Sequence, residues 1–163
     1  MFSKAVQDAM NEQIKNELYS AYLYLAMAAH FEAENFAGSA RWMRAQAGEE
    51  QEHAMKLFDF VNERGGRVVL QAIDAPPVEF GSHLSVFEQT LAHEQLVTGM
   101  IDNLYALALK ENDYASQGFL QWYIKEQVEE EANATKILGQ LKMVDGKAQG
   151  LLMLDSVLGR RGG

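Results

Sequence analysis

Apolar residues recur at spacings of three and four along most of the chain, and this pattern predicts long amphipathic helices. The first helix is expected over about residues 4–34. Its apolar residues form two neighbouring stripes, Met10, Ile14, Ala21, Tyr24 and Ala28 on one and Leu18, Tyr22, Leu25 and Ala29 on the other. A second helix is expected over about residues 39–64, where Gly65 and Gly66 end it. The short break between the two helices predicts an antiparallel hairpin.

A second hairpin is predicted in the other half of the chain. Ser85, followed by Glu88, has the spacing of a capping box and is expected to open a third helix over about residues 85–111. Asn112 and Asp113 form a tight turn, and Asp113 is the expected N-cap of a fourth helix that continues to about Met143. A short apolar helix is predicted over about residues 151–158. Its leucines suit either a symmetry axis of an assembly or the chain's own bundle.

Residues 65–84 join the two hairpins and show no helical pattern. The run from Val68 to Ile73 favours an extended backbone, and Pro76 and Pro77 enforce it. An extended segment of about 20 residues can reach roughly 66 Å, while a helix of about 28 residues is roughly 42 Å long. The connection can therefore cross the whole bundle and make the second and third helices parallel. The fold class expected for residues 1–163 is all-α, a single four-helix bundle with one long crossover and a short fifth helix.

Composition restricts the chemistry that the bundle can carry. The chain has no cysteine, which excludes disulfides, thiolate nucleophiles and iron–sulfur clusters. Any metal must therefore be bound by oxygen and imidazole. The 23 acidic and 14 basic residues give a net charge of -9, which disfavours non-specific binding to nucleic acid or anionic membranes and suits the handling of cations.

The sequence also lacks the usual membrane and export signals. Residues 1–12 contain charged and polar side chains without an apolar segment, and the chain has no long run of uncharged apolar residues. A cytoplasmic protein without a membrane anchor is the expectation.

One carboxylate interrupts the inward stripe of each long helix. Glu17, Glu50, Glu94 and Glu130 stand where the period requires an apolar residue, and His53 follows Glu50 by three positions on the same face. Burying several like charges is costly unless something positive neutralises them. The four stripes carry no Lys or Arg near these levels, so a dinuclear site for divalent cations is indicated. Its ligand set suits iron or manganese and, less well, zinc.

These residues closely resemble the ferroxidase centre of bacterial non-haem ferritin. The resemblance rests on Glu17, the segment Glu50-Gln51-Glu52-His53, Glu94 and the segment 126–130, in this order on four helices, and it extends over essentially the whole chain. It implies that Glu17, Glu50 and His53 hold one iron, that Glu50, Glu94 and Glu130 hold a second, and that Glu50 bridges them. The implied function is oxidation of Fe(II) by dioxygen or peroxide and storage of hydrated ferric oxide in a cage of twenty-four identical subunits.

Two positions depart from related families. Many di-iron bundles repeat Glu-x-x-His on a second helix, whereas this chain has Gln127 three residues before Glu130, and Gln127 is included as a candidate ligand. Bacterioferritins place a haem-ligating methionine directly after the glutamate of the second helix, where this chain has Gln51. Haem is therefore not expected.

Three further glutamates flank the inward stripes. The resemblance implies that Glu49, Glu126 and Glu129, together with Glu130, bind a third iron, although a solvated acidic face would explain the spacing equally well. Tyr24 lies two turns after Glu17, within reach of a metal-bound oxygen or of a neighbouring carboxylate. We assign it a candidate redox role, while hydrogen bonding alone is the usual role of a buried tyrosine.

Other readings of the same bundle stay open at this point. A rubrerythrin-like peroxidase usually has a cysteine-ligated iron, which this chain lacks. A DNA-coating mini-ferritin places its sites between subunits and often has a basic tail. A plain helical bundle could use the glutamates to bind a structural metal. The mass of the assembled particle distinguishes these possibilities.

Overall fold

The computed structural model describes residues 2–161, and these residues form five helices and no strands. The helices are α1 (Lys4–Ala33), α2 (Ala37–Glu63), α3 (His83–Lys110), α4 (Tyr114–Val144) and α5 (Ala148–Leu158). The predicted all-α architecture of four long helices and a short fifth one is confirmed. Asn35 and Asn112 adopt left-handed φ values of 66° and 54° in the two hairpin turns, a conformation that asparagine tolerates better than most residues.

The start of α3 differs from the prediction. Ser82 is the N-cap, and its hydroxyl accepts a hydrogen bond from the backbone nitrogen of Ser85 at 3.1 Å. The predicted capping box that Ser85 would open is therefore wrong, because the helix begins earlier, at His83. Asp113 does cap α4 as predicted, accepting from the nitrogen of Ser116 at 3.1 Å. Both caps satisfy backbone donors that have no partner inside the helix.

Contacts near the helix ends establish the directions of the helices. Ser39 at the start of α2 lies beside His83 at the start of α3, with 3.1 Å between Oγ and Nε2, so α2 and α3 are parallel. Arg64, just after α2, donates to Asp113, just before α4, at 2.8 Å, so α2 and α4 are antiparallel. The predicted topology with one long crossover is confirmed.

The crossover runs along α1 as an extended segment. The side chain of Asn11 donates to the carbonyl of Arg67 at 2.9 Å and accepts from the nitrogen of Val69 at 3.0 Å. Near the other end of α1, His30 Nε2 lies 2.8 Å from the carbonyl oxygen of Gly81. Asn11 and His30 are separated by about 28 Å of helix. Side chains at both ends of α1 thus replace the backbone partners that an extended segment otherwise lacks.

The interior is divided into three layers. Two apolar clusters fill the ends of the bundle: one includes Leu23, Met27, Phe31, Trp42 and Phe87, and the other includes Met10, Ile14, Leu57, Ile101 and Leu120. The buried residues between them are largely polar. Leu154 and Leu158 of α5 pack into the first cluster, whereas Leu152 is exposed. Leu151 also packs against this cluster, so docking of α5 on its own bundle accounts for three of its four leucines.

The second apolar stripe of α1 stays largely outside the core. Tyr22 and Leu25 are 49% and 48% exposed. Together with Pro76, Pro77 and Val78 of the crossover they line a groove of about 510 Å³. An exposed apolar surface of this kind is typical of an interaction site. Among the described residues, none of the helices has the length and apolarity that crossing a membrane would require.

Candidate metal centre

The polar layer brings together the five residues of the predicted dinuclear site. Glu17, Glu50, Glu94 and Glu130 come from α1, α2, α3 and α4, respectively, and each side chain is at most 5% exposed. His53 lies one turn after Glu50 and is 3% exposed. The apolar stripe of each helix points these groups inward, and the antiparallel hairpins bring them to one level of the bundle.

The ligand atoms of these residues form overlapping clusters in which all members lie within 4.8 Å of one another. One cluster contains Glu17, Glu50 and His53, and another contains Glu50, Glu94 and Glu130. Glu50 belongs to both clusters, so a cation in each position would have this carboxylate in common. This is the arrangement expected of a dinuclear site with one bridging carboxylate.

Each of the four carboxylates accepts a hydrogen bond from a glutamine amide. Gln13 donates to Glu17 at 3.2 Å, and Gln127 donates to Glu94 at 3.2 Å. The other two carboxylates share one donor: the amide nitrogen of Gln46 lies 3.2 Å from Glu50 Oε1 and 2.7 Å from Glu130 Oε2. A neutral amide orients a carboxylate without adding charge, so the negative charge remains available for cations.

Sequence reasoning missed Gln13 and Gln46. Both precede the glutamate to which they donate by four residues, and both are almost fully buried, at 3% and 1% exposure. A glutamine one turn before an inward glutamate was therefore a usable signal, because side chains four apart on a helix are neighbours. Gln127 was identified as a candidate ligand, and its amide nitrogen contacts Glu94 and Thr98. That Gln127 itself binds a metal stays a prediction.

The electrostatics of the layer favour bound cations. Burial, followed by repulsion from Glu50, raises the pKa of Glu17 well above its usual range, and burial also raises the pKa values of Glu50 and Glu94. Burial and the charge of Glu94 raise the pKa of Glu130 to about 8. Among the described residues, none of these four carboxylates pairs with a Lys or Arg. Divalent cations would supply the missing positive charge.

Several buried atoms of the layer have no hydrogen-bond partner among the described residues: Glu17 Oε2, His53 Nδ1 and Gln46 Oε1. All three carry lone pairs when the imidazole nitrogen is unprotonated. His53 Nδ1 also lies 3.2 Å from Glu50 Oε2, inside the first cluster. Unpartnered buried acceptors are rare, and a cation bound between Glu17 and His53 would satisfy two of them. The donor set therefore fits a metal.

Aromatic side chains surround the ligands. The hydroxyl of Tyr24 donates to Glu94 Oε1 at 2.5 Å, and burial followed by the charge of Glu94 raises the tyrosine pKa. Its hydrogen-bonding role is thus confirmed, and its redox role stays a prediction. Trp122 packs edge-on against His53 with 5.1 Å between ring centres. Tyr123 donates to the carbonyl oxygen of His53 at 2.6 Å. The indole of Trp122 thus packs on the imidazole, and the hydroxyl of Tyr123 fixes the backbone of the same residue.

The glutamates of the predicted third site surround one cavity of about 550 Å³, whose lining includes Glu49, Glu126, Glu129 and Glu130. Glu126 lies closer to the dinuclear cluster than its flanking position suggested, because it groups with His53 and Glu130 within 4.8 Å. Glu129 is exposed. Glu49 forms an ion pair with Arg161 through Oε2 at 2.8 Å. Binding of a third iron stays a prediction.

Comparisons with known proteins agree with this geometry. Residues 7–144 match the ferritin-like domain family. The bacterial non-heme ferritin of Bacteroides fragilis is 43% identical over 161 residues, which cover 99% of this chain and 100% of that protein. A probable bacterial non-heme ferritin-like protein of Haemophilus influenzae is 40% identical over 159 residues, or 98% of this chain and 96% of that protein.

Solved structures of ferritins are also similar to this chain. An open pore ferritin from the archaeon Archaeoglobus fulgidus is 48% identical and superposes with a TM-score of 0.98, covering 99% of both chains. A humanized archaeal ferritin is 47% identical, with a TM-score of 0.98 over the full length of both chains. The likeness in sequence, fold and buried carboxylates extends from end to end, and the chain belongs to the ferritin family, among the bacterial non-haem ferritins.

Proposed function

We propose that this ferritin stores iron and that each subunit oxidises Fe(II) at the buried cluster. The main support is that five buried ligands from four helices form two overlapping oxygen-rich clusters that share Glu50. Four ionised carboxylates balance the charge of two divalent cations. The single imidazole and the lack of sulfur ligands suit iron. The related proteins from Bacteroides fragilis and Archaeoglobus fulgidus are themselves ferritins.

Each ligand has a defined part in the proposed site. Glu17 and His53 bind the first Fe(II), Glu94 and Glu130 bind the second, and Glu50 bridges the two ions. The glutamine amides hold the carboxylates in the orientation that the ions require. Because a coordinating carboxylate must be ionised, binding of Fe(II) displaces the protons that burial keeps on these side chains.

Fe(II) is the substrate of the proposed reaction. Each of the two ions loses one electron, and dioxygen accepts both electrons and two protons to become hydrogen peroxide. Peroxide is a second possible oxidant for the same pair of ions. The redox change belongs to the iron, while the protein supplies position and charge. Oxidised iron then leaves the site and is stored as hydrated ferric oxide.

Storage requires an enclosed volume, which one bundle does not provide. We propose that the chain assembles into a hollow homo-oligomer of twenty-four subunits. The exposed apolar groove between α1 and the crossover supports self-association, because Tyr22, Leu25 and Val78 are 49%, 48% and 78% exposed. Light scattering tests the assembly directly, and a monomer or dimer would contradict it.

Rapid mixing of the purified apo-protein with Fe(II) under air tests the activity. Ferric absorbance should appear much faster than in protein-free buffer. Glu50→Gln should abolish the fast phase, since it removes the charge of the shared ligand while preserving its shape. Glu88→Gln is the matched control, because Glu88 is an exposed glutamate of α3 outside the metal clusters. Oxidation by the wild type at the rate of buffer alone would refute the ferroxidase proposal.

A further inference from the structure

Thr98 of α3 and Glu131 of α4 meet beside the metal layer. Thr98 Oγ1 donates to Glu131 Oε2 at 2.6 Å and lies 2.9 Å from the carbonyl oxygen of Glu94. A hydroxyl has a single proton to donate, and the carboxylate is both the closer and the stronger acceptor. The proton of Thr98 is therefore directed to Glu131, which leaves the lone pairs of the hydroxyl oxygen free to accept.

The amide nitrogen of Gln127 uses this acceptor. It lies 3.2 Å from Thr98 Oγ1, 3.2 Å from Glu94 Oε2 and 3.1 Å from the Glu94 carbonyl oxygen. All three neighbours act as acceptors, so the nitrogen of the amide rather than its oxygen must face them. If the proton of Thr98 turned toward Gln127, it would favour the opposite orientation of the amide. Glu131 prevents this turn by holding the proton on its other side.

The orientation of the amide matters for Glu94, a ligand of the proposed second ion. Glu94 Oε1 accepts from the hydroxyl of Tyr24, and Oε2 accepts from Gln127. Because each oxygen has its own donor, the carboxylate is held from both sides. Glu94 belongs to the cluster that contains Glu50 and Glu130, so its orientation concerns the second position only.

Glu131 has no direct part in this cluster. Among the described residues, it joins none of the groups that could hold a metal ion and pairs with no Lys or Arg. We propose that Glu131 is a positioning residue for Glu94, acting through the hydroxyl of Thr98 and the amide of Gln127. The inference rests on the proposed function, because it concerns a ligand of the second Fe(II).

Breaking this chain of hydrogen bonds should weaken the second ion and leave the first unchanged. Glu131 acts through two intermediate residues, so we expect a loss of about three- to tenfold, below the roughly 10- to 100-fold typical of groups that touch a ligand directly. The visible absorption of Co(II) at the second position should also change in shape, because it depends on how the ligands surround the ion. A variant that affected only folding stability would change neither.

Anaerobic titration of the full assembled protein with Co(II) tests the proposal. Glu131→Ala removes the acceptor, and Glu131→Asp keeps the charge but withdraws the carboxylate from Thr98 by the length of one carbon–carbon bond. Thr98→Val removes the hydroxyl while preserving the shape of the side chain. Glu88→Ala is the matched control, because Glu88 is an exposed glutamate of α3 outside the metal clusters.

Support requires that both Glu131 variants and Thr98→Val weaken the second ion by about threefold or more, alter its absorption and leave the first ion unchanged. Glu88→Ala should bind both ions like the wild type. In the Thr98→Val background, Glu131→Ala should cause no further loss, because two changes in one chain are not additive.

Four results would overturn the inference while the proposed function stands. Unchanged second-ion affinity in Glu131→Ala would show that the residue has no effect, and wild-type affinity in Glu131→Asp would show that its charge alone matters. Equal weakening of both ions, or an additive loss in the double variant, would show that Glu131 does not act through Thr98. Binding of fewer than two Co(II) ions by each wild-type subunit would overturn both proposals.

Discussion

The side-chain nitrogen of Gln46 lies 2.7 Å from Glu130 Oε2 and thereby joins α2 to α4 at the level of the metal clusters. The same nitrogen donates to Glu50 at 3.2 Å. Glu50 and Glu130 both lie in the buried layer, where the charge of Glu130 adds to the effects that raise the pKa of Glu50. One neutral amide between them lowers this repulsion and fixes the distance between the proposed bridging ligand and a ligand of the second ion.

Gln46→Leu should therefore weaken binding of both ions, and of the second ion more, because its two acceptors are the shared ligand Glu50 and the second-ion ligand Glu130. Groups that orient metal ligands typically contribute about 10- to 100-fold in affinity, and leucine has a similar size but no donor. Titration with Co(II), followed by its visible absorption, measures the two ions separately. Gln13→Leu is the control, because Gln13 donates to Glu17 alone and should affect the first position. The same loss in both variants would argue against this division of roles.

Variants of the ligands themselves should separate the two positions further. Glu94→Ala should weaken mainly the second ion and His53→Ala mainly the first, because each side chain belongs to a different one of the two clusters that share Glu50. Glu50→Ala should weaken both ions. Anaerobic Fe(II) titration gives the number of ions bound per subunit. Loss of both ions in every variant would show that the positions are not separable as proposed.

The apo-protein should become less stable as the pH rises from about 6.8 to 8. Burial and the charge of Glu94 raise the pKa of Glu130 to about 8, so the folded chain keeps a proton that the unfolded chain has lost. The free energy of unfolding then falls with pH. Burial lowers the pKa of His93 to about 4, which has the opposite effect. Most of that effect lies below about pH 7, because the unfolded histidine has a pKa of about 6.5 and is largely deprotonated above that pH.

Urea unfolding at the two pH values, with chelator and with Zn(II), checks this expectation. Zinc should remove the loss of stability, because the cations keep the carboxylates ionised in the folded state. Glu130→Gln should reduce the pH dependence of the apo-protein, since it removes one of the groups that titrate. Equal stability of the apo-protein at both pH values would mean that the carboxylates are already ionised without metal.

The sequence predicted the parts of the site that depend on the face of a helix. Glu17, Glu50, Glu94 and Glu130 could be identified because each interrupts an apolar stripe, and a shared face follows directly from helical spacing. His53 followed from its spacing of three after Glu50. The long crossover was also predictable from local sequence. Its two prolines and its lack of a helical period favour an extended backbone.

Contacts between distant segments were not predictable in this way. Nothing in the spacing of Asn11 shows that both ends of its amide bind the crossover, and nothing local pairs Arg161 with Glu49. The start of α3 was misplaced because Ser82 and Ser85 are both plausible caps, and only the complete structure shows which one the chain uses. Helical periodicity predicts which face of a helix a residue occupies. Its contact partner depends on how the helices pack against one another.

The docking of α5 gives a final prediction. The carboxylate of Asp155 accepts from the backbone nitrogens of Gly38 and Ser39 at 3.2 and 2.6 Å, and from the Ser39 hydroxyl at 2.7 Å. A side chain of α5 thus satisfies free donors in the first turn of α2. The contact requires a glycine, because a Cβ on Gly38 would lie only 1.9 Å from the carbonyl oxygen of Asp155.

Gly38→Ala should therefore displace α5 and lower the free energy of unfolding by about 1–3 kcal/mol, the usual cost of overpacking. Gly118→Ala is the control, because a Cβ there has no neighbour within 4 Å. In a helix that change should be neutral or stabilise by up to about 1 kcal/mol. Urea unfolding gives the stabilities, and hydrogen exchange of residues 148–158 reports whether α5 is released. If Gly38→Ala changes neither the free energy of unfolding nor the hydrogen exchange of α5, the close approach of α5 to α2 is not what holds α5 in place.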